Sequence, residues 1–118
     1  MLVPLFGRVT QLCPSTTETA IESDQVPPGE FWVVTGVFVY NGSTESFTVK
    51  IGVERGTQFI PYQYNSALAT LAVEAPVTQP MLGEGEKLVA KCTGSSAGGL
   101  ITLMFNGFRY KIVDPVRP

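Results

Sequence analysis

The chain has 118 residues, 44% of them hydrophobic and only 15% charged, with a net charge of −2, no histidine and two cysteines. That size suits one domain with one core, and the charged fraction falls well below the roughly 25% of an average soluble protein. Eight scattered Lys and Arg give no cationic cluster for nucleic acid. Without histidine the commonest general base and metal ligand are missing, and two cysteines cannot complete a zinc site within one chain.

In chain order, the start Met1-Leu2-Val3-Pro4-Leu5-Phe6-Gly7-Arg8 lacks the basic opening and long apolar stretch of a secretion signal. No run approaches the ~20 apolar residues of a membrane helix. The chain is therefore expected to be made in the cytoplasm, with both Cys13 and Cys92 as free thiols. Leu5–Cys13 and Thr19–Glu22 are predicted as short strands around a polar stretch. Residues 1–25 form an N-terminal arm or edge segment, divided from a domain over 26–118 by the punctuator Val26-Pro27-Pro28-Gly29, which forbids helix and suits a turn.

Phe31–Asn41 is rich in aromatic and β-branched residues and predicts a strand that is apolar on both faces, hence central. Gly36 marks a bulge or bend within it. Asn41-Gly42-Ser43 is a turn. Ser46–Val53 alternates cleanly, with Phe47, Val49, Ile51 and Val53 on one face, so one side is buried. Gln58–Gln63 is a short strand interrupted by Pro61, which places it at an edge or corner. Leu68–Ala75 is predicted as a strand, and Met81–Gly85 as a turn. Glu86–Thr93 puts Leu88, Ala90 and Cys92 on one face and Lys87, Val89 and Lys91 on the other. Leu100–Asn106 and Phe108–Val113 are predicted as two strands about Asn106-Gly107, a tight hairpin or a bulge. Seven to nine short strands punctuated by Gly, Pro and Asn indicate an all-β antiparallel sandwich, jelly-roll-like or immunoglobulin-like.

Chemistry-bearing motifs are scarce. Glu84 and Glu86 share one turn, where solvated side chains are expected rather than a catalytic pair. Gly94–Gly99 has the composition of a phosphate loop without its Gly-Lys-Ser/Thr ending or a following helix. No catalytic, cofactor-binding or metal-binding residue is assigned, and no cofactor is expected. Trp32 is expected in the core. Phe59, Tyr62 and Tyr64, around Pro61, are candidate contacts for a neighbouring subunit, as are Leu5 and Phe6 on the N-terminal arm.

The stretches Val26-Pro27-Pro28-Gly29-Glu30-Phe31-Trp32-Val33-Val34, Val37-Phe38-Val39-Tyr40-Asn41 and Phe47-Thr48-Val49-Lys50-Ile51 carry a resemblance. So do Leu82-Gly83-Glu84-Gly85-Glu86-Lys87-Leu88 and Leu100–Gly107. Together, over about residues 26–107, they resemble small β-sandwich virion proteins of tailed bacteriophages, which occur as capsid decoration (cement) proteins and as neck, tail or fibre parts. The resemblance implies a non-catalytic decoration protein on the capsid surface. Its partners would be the major capsid protein or other virion proteins, and it would form a symmetric homo-oligomer such as a trimer, with no nucleic acid or membrane bound. The competing expectation is a carbohydrate- or receptor-binding module of a tail fibre or bacterial surface, with Phe59, Tyr62 and Tyr64 as its stacking aromatics.

Overall fold

A computed structural model describes residues 2–12, 18–45, 47–69, 73–74, 80–93 and 99–112. Strand follows strand: β1 (Leu2–Leu12), β2 (Thr19–Glu22), β3 (Glu30–Gly42), β4 (Phe47–Arg55), β5 (Gln58–Leu68), β6 (Val73–Glu74), β7 (Met81–Leu82), β8 (Glu86–Thr93) and β9 (Leu100–Lys111). One sheet runs β1-β9-β3-β6, with β7 also pairing β3. The other runs β2-β8-β4-β5. The chain thus folds back on itself as one long rolled hairpin. β1 pairs β9, β2 pairs β8, β3 pairs β6 and β7, and β4 turns into β5, all antiparallel. That is a jelly roll, which decides between the two sandwich topologies expected.

Inward residues of both sheets fill one core. From the five-stranded sheet come Leu5, Trp32, Val34, Val37, Val39, Leu82, Ile101, Leu103 and Phe105. From the other come Ile21, Phe47, Val49, Ile51, Leu88, Ala90 and Cys92. The alternation of Phe47–Ile51 and of Leu88–Cys92 is therefore a true inside–outside pattern. Fully burying each such large side chain contributes about 1.5–3 kcal/mol. Trp32 lies in the core, 6% exposed, with its ring stacked on Phe105 at 6.1 Å.

Several strands run longer than expected. β1, β3, β5 and β9 each span 11 to 13 residues. The two strands predicted about Asn106-Gly107 are one continuous strand, β9. The irregularity lies opposite, in β3, where the register shifts between Val34 and Gly36. Thr35 is the extra residue there, so Val34 and Val37 both face inward, and the bulge read from Gly36 is present. Gly107 is needed for space: a Cβ there would run into the carbonyl of Val33. The strand expected over Leu68–Ala75 reduces, among the described residues, to Val73–Glu74, while Leu68 closes β5. Met81-Leu82, expected as turn, forms β7, and the turn follows at Glu84-Gly85, where Gly85 takes φ 81°.

The N-terminal segment is built into both sheets. All eleven residues of β1 are in register with β9, and β2 pairs β8 over four positions. Each is an edge strand of its sheet. The thiol expectation for Cys13 lies outside the described residues; Cys92 is wholly buried.

Candidate interaction surface

The two sheets differ sharply on their outer faces. On the four-stranded sheet the outward positions of β2, β4 and β8 carry ions beside Ala20 and a buried Val89. Lys50 and Lys91 reach Glu18 at 3.8 and 4.0 Å, and Lys87 reaches Glu22 at 3.4 Å. Such exposed pairs add little stability, but they mark a face hydrated by charge.

On the five-stranded sheet, register and alternation arrange the outward side chains in six transverse rows. Leu2, Tyr110 and Phe31 form the first. Pro4, Phe108, Val33 and Met81 form the second, and Phe6, Asn106 and Gly36 the third. Arg8, Met104 and Phe38 form the fourth; Thr10, Thr102, Tyr40 and Val73 the fifth; Leu12, Leu100 and Gly42 the sixth. Arg8 is the one charged side chain at these positions. Even the polar groups bond among themselves. The Thr10 and Thr102 hydroxyls lie 3.1 Å apart, and Thr35 Oγ1 donates to Asn106 Oδ1 at 3.2 Å. Phe31 and Tyr110 stack almost parallel at 4.8 Å. Exposure is large where the rows end: Phe6 is 74% and Met81 64% exposed.

Strand geometry sizes this face. Eleven residues at ~3.3 Å by three strands at ~4.8 Å, with the four residues of β6 and β7 beside them, give about 590 Å². A typical monomer's largest apolar patch is about 300–600 Å². The face thus lies at the upper end of that range, and it carries a single charged side chain.

Of the contact residues inferred from sequence, Phe6 lies in the third row of this face. Leu5 does not: it points inward and is core, because neighbours along a strand face opposite ways. Phe59 and Tyr62 lie on β5, in the other sheet. The Phe59 ring is covered by the Lys91 ammonium at 4.3 Å, and Tyr62 leans against the core, where burial pushes its phenol pKa up. Tyr64 pairs with Lys50 in the backbone register; its side chain is outside the described residues. These aromatics therefore do not form a common stacking platform among the described side chains. The sequence reading missed Leu2, Phe31, Phe38, Met104 and Phe108. For Phe31 and Phe38 the signal is a strand apolar on both faces, which implies central placement; Leu2, Met104 and Phe108 lie on β1 and β9, which carry no such signal. β3 is indeed central, but nothing described in the chain covers its outer side.

Elsewhere, a cavity of about 330 Å³ opens between β1 and the segment after β2. Trp32, Phe105, Leu5, Arg109 and Asp24 line it. Arg109 Nε is buried there without a hydrogen-bond partner among the described residues. Of the two carboxylates expected to be solvated in one turn, Glu84 is exposed, but Glu86 opens β8 and is buried because hydrogen bonds hold it there. Glu84 accepts from the Gly29 amide at 3.0 Å. Glu86 accepts from the Gly83 amide at 2.6 Å and from Arg55 Nε at 2.9 Å. Among the described residues no three His, Cys, Asp or Glu side chains converge as a metal site would need.

In comparisons with known proteins, no family model and no curated protein matches the chain.

Proposed function

We propose that this chain is a non-catalytic structural subunit that decorates and cements a bacteriophage capsid through protein–protein contacts. The observation that carries the structural part is the uneven division of charge: one outer face lined by ion pairs, the other a broad apolar field with a single arginine. A face of that kind is stable when protein covers it. The capsid surface as its location rests on the resemblance of residues 26–107. The jelly roll is compatible with it and does not select it, since viral capsid and lectin domains share that architecture. Cementing works by area: each contact excludes water, and contacts summed over many copies resist expansion of the shell.

Sedimentation of the purified protein with empty tailed-phage capsids tests this. Saturable binding at a fixed ratio to the shell subunit is expected, and a protein that stays in the supernatant at every concentration would refute it. A second reading, recognition of a glycan or other small ligand on a tail fibre or bacterial surface, draws on the cavity floored by Trp32 and Phe105. Trp32 is the only tryptophan, so a saturable change in its fluorescence on adding glycans would favour that reading.

A further inference from the structure

We infer that the apolar face of the five-stranded sheet is covered by the same face of a second copy, about a two-fold axis that lies between the sheets and runs across the strands. This rests on the structural-subunit reading and names the partner at its surface. The area suits it: two faces of about 590 Å² bury about 1,200 Å², at the lower end of the range of a specific, stable interface.

The rows themselves favour this operator. An axis between the third and fourth rows sets the first row of one copy against the sixth of the other, the second against the fifth, and the third against the fourth. On β3, Phe31 then meets Gly42 and Phe38 meets Gly36, a bulky ring over a missing side chain each time. On β9, Phe108 meets Thr102. At the far side Met81 meets Val73, both more than half exposed. Along β3 the rings of Phe31 and Phe38 are thus each set over a glycine, which lets the sheets approach to ~10 Å. On β1 the single charge is accommodated too, because Arg8 of each copy lies against Phe6 of the other, a reciprocal cation–π contact. The contact is self-complementary, as an isologous interface must be.

The alternative axis, along the strands, sets each row against itself. With that axis over β9, Tyr110 and Phe108 would pile onto their own copies at one end, while Thr102 met only itself at the other. Met81 and Val73 would project past the partner's edge.

Native mass by analytical ultracentrifugation at about 50 µM should give twice the chain mass, with Phe108→Glu and the more exposed Phe6→Glu each weakening association more than 100-fold. Glu54→Ala, on the opposite sheet, should leave the dimer intact. Circular dichroism of Phe6→Glu confirms that its fold survives. A spin label on Leu2→Cys, in a Cys13→Ser background, reads the axis. The two labels should lie about 35 Å apart for the transverse axis and about 15 Å apart for the longitudinal one, by strand rise and sheet spacing. A monomer, a trimer, a dimer indifferent to Phe6→Glu, or a 15 Å separation would each overturn the inference. A monomer that still binds capsids at a fixed ratio would overturn the dimer and leave the cement reading standing. A dimer that ignores capsids would do the reverse.

Discussion

Replacing Tyr62 by Phe should stabilise the protein. The Tyr62 hydroxyl oxygen is shut away from water and has no hydrogen-bond partner among the described residues, while its ring packs against the core. A buried hydroxyl that makes no bond forfeits its hydration, at a cost of about 1–3 kcal/mol. Phe keeps the ring and removes that cost, so a gain of about 1 kcal/mol is expected after the lost contacts of one oxygen atom. In urea, with a slope of about 2 kcal/mol per molar, the midpoint should rise by about 0.5 M with the slope unchanged. The same residue predicts a pH effect. Burial raises the folded-state pKa of Tyr62 above the ordinary phenol value, so the folded chain holds this proton after the unfolded chain releases it. Its contribution is complete below about pH 10 and is lost as the pH climbs above that value. The native protein should therefore weaken more steeply between pH 10 and 11 than the Phe variant. A Tyr62→Phe protein less stable by 1 kcal/mol, or one with the same alkaline loss, would show that the hydroxyl is bonded or hydrated and that the reasoning is wrong.

Asn41→Ala should destabilise by about 2–4 kcal/mol, measured by equilibrium unfolding. The amide is fully buried, donates to the Leu68 and Glu45 carbonyls at 2.9 and 2.8 Å, and accepts from the Ser43 amide and hydroxyl, so its loss strands several buried groups at once. Gly107→Ala should cost about 1–3 kcal/mol through overpacking against the Val33 carbonyl of the neighbouring strand. Its melting temperature should fall, with strand content unchanged by circular dichroism. Glu86→Ala should cost about 2 kcal/mol, because it removes the acceptor of both the Gly83 amide and Arg55 and bonds to a carboxylate are the stronger kind. Arg55→Ala should cost less, since its side chain is largely exposed.

What could be read from sequence was whatever a period of two states unambiguously. Phe47–Ile51 alternates against Thr48 and Lys50, and Leu88, Ala90 and Cys92 face the core as expected; Val89, expected on the opposite face with Lys87 and Lys91, is nevertheless fully buried. Phe31–Asn41 has apolar residues on both sides, and alternation then says only that both sides are covered, not by what. Strand ends were harder. Asn106-Gly107 carries the signature of a hairpin, but β9 passes straight through because the slack is taken up by Thr35 on the neighbouring strand. No local signal at 106–107 could reveal that, since the accommodation sits some 70 residues away. The outer face was invisible for the same reason. Its rows join β1, β9 and β3, from the two ends and the middle of the chain. Phe6 stands out on a strand beside a polar stretch, whereas Phe108 sits in a run with Tyr110 and Ile112 that reads only as strand.

Because β1 is an integral strand, deleting residues 1–12 should unfold the protein rather than release a tidy core. A detachable arm predicts the opposite, so the deletion discriminates. β1 supplies Leu5 to the core, and its Gly7 lies against the Phe105 ring. Removing the strand discards the burial of Leu5 and uncovers Phe105, each worth about 1.5–3 kcal/mol, and it leaves β9 with an open edge along its whole length. Together these come to about 3–6 kcal/mol, against a total stability of about 5–15 kcal/mol for a typical domain. The lost strand pairing comes on top. The truncated chain should show a melting temperature lowered by more than 10 °C or no cooperative transition, and trypsin should cleave it rapidly at Arg109, which β9 otherwise holds between two strands. A truncated protein that melts within a few degrees of the full chain would mean that β9 and β3 close the sandwich alone. The apolar face would then have to be redrawn without its first strand.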